Sequence, residues 1–122
     1  MTLVEVLVAL TILAVVLVGM GQFAFNFARG ARQADALTVA VSLASQRLAQ
    51  VRSSPNYAAL AATYGGTEST IPGFPGFARQ TSVVRTGGPR PTYPQDYQTV
   101  TVVVSSPGLV APVSETVVIA AP

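Results

Sequence analysis

The first 28 residues are apolar on every side. In MTLVEVLVALTILAVVLVGMGQFAFNFA the only charge is Glu5. A helix that is hydrophobic all round belongs in a core or a membrane. The run from Val6 to about Phe25 has ~20 residues, which matches a bilayer core. Residues 29–53 are polar but keep helical periodicity. No proline occurs in residues 1–53, and the pattern predicts one helix of roughly 80 Å at 1.5 Å per residue. Pro55, after RSS, ends it. Arg47 and Arg52 sit near that end, where positive charge suits the helix dipole.

One seam runs along the helix. Phe23, Phe27, Gly30, Ala34, Leu37, Val41, Ala44, Leu48 and Val51 alternate at spacings of four and three, an a/d heptad stripe. The stretch Leu37 to Val51 is expected to pack on the protein's own sheet. Phe23, Phe27, Gly30 and Ala34 lie too far from a small domain for its sheet to cover, and predict helix–helix packing between subunits. Gly19 and Gly21 bracket Met20. Each costs a helix interior about 1 kcal/mol relative to alanine. They are either packing notches or a stretch that loosens when the helix leaves lipid, and the pattern leaves both open.

Past the helix the texture changes. Residues 54–76 hold Pro55, Gly65, Gly66, Pro72, Gly73, Pro75 and Gly76 and read as loop. Residues 77–122 alternate as strands do, with candidates Phe77–Thr86, Tyr97–Ser105 and Val113–Ala120. In the second, Val100, Val102 and Val104 share one face. Short connections favour an antiparallel meander, and the amphipathic half of the helix is the available cover. The expected fold is therefore α+β. It has a long N-terminal helix, transmembrane in its first half and amphipathic in its second, packed on a small antiparallel sheet of about three strands. The parts are 1–28, 29–53, 54–76 and 77–122.

Composition narrows the chemistry. There is no Cys and no His, which removes disulfides, thiol nucleophiles, imidazole bases and the usual zinc ligands. Charged residues make up 10% of the chain, against about 25% in ordinary domains. The five acids Glu5, Asp35, Glu68, Asp96 and Glu115 are scattered, with no pair at acid–base spacing. YGGTEST has glycines but no phosphate-loop lysine. No enzyme, cofactor or metal is expected. The net charge of +2 comes from seven arginines and no lysine and gives little reason to expect nucleic acid. Arg79 and Arg85 share a strand face, followed by Arg90. A solvated sheet face is the ordinary reading of that group, and a nucleic-acid patch the alternative.

A signal peptide would carry a basic n-region and a cleavage signature. The run shows neither and continues as helix, so a retained membrane anchor fits better. Taken alone, Arg29 and Arg32 after the run would place the C-terminal side in the cytoplasm, an inference that a removed basic leader would cancel. Thr2 and Glu5 form T-x-x-E, a capping box. That accounts for an acid at position 5, but not for its place at the lipid end of a membrane helix, where charge is expensive. Before Arg29 the nearby cation is the α-amino group of Met1, on the same chain or a neighbour.

At these residues the chain resembles the type IV pilin family, including type II secretion pseudopilins. The resemblance lies in MTLVEVLVALTILAVVLVG, with Glu5 at the fifth position, and more weakly in AVSLASQRLAQVRSSPNYAAL at residues 40–60. The start MTLVEVLVAL looks closest to V-like minor pilins and I-type pseudopilins. The resemblance implies a leader removed by a prepilin peptidase, N-methylation of Met1, storage in the inner membrane, and extraction into an extracellular, cell-surface helical filament by the assembly machinery. Met1, Thr2 and Glu5 would then serve subunit assembly, and Gly19 and Gly21 helix loosening. Three departures stand out: Met1 rather than Phe, Gln22 where many pilins have Pro, and no C-terminal Cys pair. The expected function is a structural subunit of a pilus-like filament, a homo-oligomer. The alternatives are a minor pilin or pseudopilin at a filament tip, and a single-pass membrane-anchored binding module.

Overall fold

The computed structural model describes residues 2–122. Met1, expected to be processed, methylated and engaged in assembly, lies outside the described residues. Helix α1 runs Leu3–Arg52 without a break. It starts where the Thr2 hydroxyl accepts the Glu5 backbone N–H at 3.3 Å, a cap that satisfies one orphan donor of the first turn. It ends in a turn at Ser53 and Ser54, just before Pro55. The chain divides into two units, Met1–Ala34 and Asp35–Pro122.

In the second unit a 3₁₀ turn (Tyr57–Ala59) and a short helix α2 (Leu60–Tyr64) follow α1. Strands β1 (Gly66–Glu68), β2 (Ala78–Gly87), β3 (Asp96–Ser105) and β4 (Val113–Ala120) form one antiparallel sheet in chain order. The class is α+β, as expected, but the sheet has four strands. The segment 54–76, expected to be loop, contributes a 3₁₀ turn, a helix and strand β1. Three residues beginning at Gly66, whose φ is +126°, carry no apolar alternation, so periodicity had nothing to register.

The sheet's inner face is set by β3. Val100, Val102 and Val104 are fully buried, as their alternation predicts, against Leu43, Ala44, Leu48 and Val51 of α1, with Leu60 and Ile71 closing the core. Each such burial stabilises the fold by about 1.5–3 kcal/mol. The helix stripe needs one correction. Ala44, Leu48 and Val51 are buried, but Leu37 and Val41 remain 48% and 40% exposed. The packed face turns instead through Ala40, Leu43 and Arg47. A heptad stripe drifts around a straight helix of 3.6 residues per turn, so the nine-residue seam is not one face. The β2–β3 turn requires a glycine. Gly87 has φ +84°, and a Cβ there would collide with the Gln95 carbonyl.

Candidate functional site

In the first unit every described residue from 2 to 34 is exposed. Leu3, Leu7, Leu10, Leu13 and Leu17 are more than half exposed, as are Phe23, Phe25 and Phe27. Such a surface is far beyond the few hundred Å² of contiguous apolar patch a soluble monomer shows. The helix is long and apolar enough to cross a membrane. Phe23 and Phe27 stack on each other with ring centroids 6.5 Å apart, one turn of helix apart. The Arg29 guanidinium lies 4.9 Å from the Phe25 ring centre, so the first cation after the run stays against apolar surface. Gly30 and Ala34 continue the Phe23–Phe27 line and are exposed with it.

Half of the Thr2–Glu5 capping box is formed. The Thr2 hydroxyl takes the Glu5 N–H, while the Glu5 side chain makes no hydrogen bond or ion pair with any other described residue. The helix passes through Gly19 and Gly21 unbroken, and a Cβ at either would meet nothing within 4 Å. Neither glycine is therefore required by packing within this chain.

The second unit holds two charged clusters. Glu68 on β1 is gripped from two sides. Arg47 of α1 donates to its Oε1, and Arg79 of β2 donates to its Oε2 from Nε at 3.1 Å and Nη2 at 2.5 Å. Arg79 also donates to the Leu43 carbonyl at 3.2 Å, and Arg47 lies over the Tyr64 ring. Burial pushes the Glu68 carboxyl up, and the hydrogen bonds and charges of Arg79 and Arg47 outweigh it, leaving it below the usual carboxylate range. The buried Nε of Arg47 has no hydrogen-bond partner, so the grip is incomplete on the helix side.

In the second cluster Arg85 makes a two-pronged bond to Asp96, at 2.9 and 2.7 Å, and Asp96 also accepts the Tyr57 hydroxyl at 2.8 Å. The Arg85 hydrogen bond, offset in part by burial, holds the Asp96 carboxyl below its usual range. Burial and the neighbouring Asp96 push the Tyr57 phenol up. Gln98 ties the same corner by donating to the Tyr57 carbonyl at 2.8 Å.

These clusters correct the sequence reading of Arg79. Arg79 and Arg85 do share a face, but it is the helix-facing one, opposite Val104 and Gln98 of β3. Arg79 is 7% exposed. Both are bound to carboxylates; Arg79 is withdrawn from the solvated face expected of the group, whereas Arg85 remains exposed, its side chain at 41%. The parity of β2 against the buried valines of β3 carried that information, once register was known. Of the residues expected to act in assembly, Thr2 and Glu5 meet at the helix start, and Phe23, Phe27, Gly30 and Ala34 share one exposed line. Comparison of the chain with protein-family models, with curated proteins and with solved structures finds no match.

Proposed function

We propose that the protein is a structural subunit of a type IV pilus-like filament, held in the inner membrane by its N-terminal helix before assembly and packed through that helix afterwards. The observation that carries this reading is the helix surface of residues 2–34. From 2 to 28 it is apolar on all sides, from 2 to 34 it is exposed throughout, and it is interrupted at its start by one carboxylate, Glu5, that has no partner among the described residues. Lipid would cover the surface in the stored state. Neighbouring helices would cover it in a filament, with the Phe23, Phe27, Gly30 and Ala34 line as the contact and Gly19 and Gly21 as the place where the helix loosens. Assembly would draw on the prepilin peptidase and pilus machinery implied by the resemblance of residues 1–19.

Glu5 would give the assembly its register. On the premise that Met1 is the first residue of the mature subunit, its α-amino group on a neighbour is the matching cation. Opposite charges 4 Å apart attract by ~4 kcal/mol at an effective dielectric near 20. An unmatched ion in an apolar core costs several kcal/mol, so misregistered docking is disfavoured. Thr2 needs only the Glu5 backbone N–H for its cap, which leaves the carboxylate free for this role.

The test is Glu5→Gln in the producing cell. Sheared surface filaments should fall at least tenfold while the membrane pool of subunit persists. Normal filament yield would reduce Glu5 to a helix-start residue. A wild-type chain that never enters sheared filaments would replace the filament reading with a membrane-anchored binding module.

A further inference from the structure

The two edges of the sheet differ. β1, at one edge, has three residues; β4, at the other, has eight. The Ala121 N–H donates to the Asp96 carbonyl at 3.0 Å and continues the β3–β4 pairing. By alternation Val113, Glu115, Val117 and Ile119 hydrogen-bond toward β3, while Ser114, Thr116, Val118 and Ala120 point their N–H and C=O groups outward. β4 has no internal proline, and its one charge is Glu115. Most natural edges of this length carry stronger protection against pairing.

The inner side of β4 is unfinished as well. Val113, Glu115, Val117 and Ile119 pair with Val104, Val102, Val100 and Gln98, all buried, yet these four remain half-buried. A cleft of ≈ 200 Å³ opens at the Ile119 end between Val51, Tyr57, Leu60 and Ala120. Within this strip sits Glu115. Glu68 and Asp96 are paired to arginines, whereas among the described residues Glu115 accepts only the Ser45 hydroxyl, at 3.2 Å. No described arginine reaches it.

We infer that β4 is a docking edge for an extended segment of another protein, added antiparallel, with apolar side chains facing Val113, Val117 and Ile119 and one basic side chain facing Glu115. On the outer side of β4, position 115 forms a non-hydrogen-bonded pair, the type in which facing side chains come closest. A second copy of this chain does not supply the cation. Its Arg29, Arg32 and Arg52 are helical, Arg90 stands between Pro89 and Pro91, and Arg47, Arg79 and Arg85 are bound to carboxylates. Pairing β4 with another β4 brings no basic residue at all. The inference does not depend on the filament reading, since it concerns only the unit Asp35–Pro122.

The probe is the labelled peptide acetyl-Val-Thr-Val-Thr-Arg-Thr-Val-Thr-amide, titrated by fluorescence anisotropy against the full chain in detergent micelles. Saturable binding is expected, weakened about tenfold when the peptide's Arg is replaced by Glu. Glu115→Gln should remove most of that preference. Thr116→Pro deletes an outward N–H without touching the β3 ladder and should abolish binding. Amide exchange on the unmodified chain gives an arm that needs no variant: saturating peptide should slow Thr116 and Val118 and leave Val117 unchanged. Equal binding of the Arg and Glu peptides, no slowing at Thr116 and Val118, or self-association through β4 that excludes the peptide would each overturn the inference.

Discussion

The two ends of one helix solve opposite problems with similar residues. Between Ala40 and Val51, α1 buries Leu43 to 1% and Val51 to 1% exposure against the chain's own sheet. Between Leu3 and Phe27, residues no less apolar bury nothing within the chain. The difference is angular. The second half is amphipathic, with polar residues such as Gln46 and Gln50 exposed on the side away from the core, so a sheet on one side suffices. The first half is apolar around its whole circumference, and no single sheet could cover it. A helix needs only one partner surface where its pattern is one-sided; where it is not, it needs a surrounding medium.

Substitutions of matched kind should separate the halves. Leu43→Ala removes a fully buried side chain and should cost about 3 kcal/mol of domain stability, within the 2–5 expected for such cavities, by denaturant unfolding in micelles. Leu10→Ala in the same protein should move that transition by less than about 0.5 kcal/mol. Comparable losses from both would mean that the two units do not unfold separately.

Next in size is Glu68→Gln. Breaking a buried ion pair costs about 3–5 kcal/mol, but the Glu68 side chain is 41% exposed, so about 2 kcal/mol is expected. Glu5→Gln should leave the same transition unmoved. A pH series sharpens this contrast. Glu68 and Asp96 have carboxyl pKa values lowered in the folded state from ordinary values of 4.5 and 3.8. Their contribution is therefore fully present above those ordinary values and is lost as pH falls through the lower folded values. Stability should be level from pH 7 to about 5 as far as these groups are concerned, then decline, and Glu68→Gln should flatten part of the acid limb. Thr2→Ala is the smallest effect. It removes the cap on the Glu5 N–H and should cost about 1 kcal/mol locally, seen as faster amide exchange at Glu5 with the domain unchanged.

How much of this was legible in the sequence follows from where the signal lies. The helix, its end before Pro55, and the inward valines of β3 are properties of spacing, and spacing is written in the chain. Strand β4 spans the predicted residues 113–120, a run rich in β-branched residues that follows Pro112. Strand β1 was hidden, since three residues have no period. The grip on Glu68 was hidden too. It joins Arg47, Glu68 and Arg79, separated by 21 and 11 residues, and depends on register and on the angle at which α1 crosses the sheet. Glu5 was visible as an anomaly of composition, a charge where charge is costly, whereas Glu115 became visible only once Glu68 and Asp96 had been matched to arginines.

The order of the elements along the chain also sets an order in time. The stripe Leu43, Leu48 and Val51 leaves the ribosome before anything that covers it. Its main cover, Val100 to Val104 of β3, is made about 50 residues later, roughly 3–10 s at 5–20 residues per second. The β2–β3 and β3–β4 hairpins pair neighbours in sequence and can close quickly once they exist. The helix must wait for them. During those seconds its amphipathic half is a naked apolar stripe joined to a membrane-length helix, exposed at Leu43, Leu48 and Val51 until β3 exists to cover it.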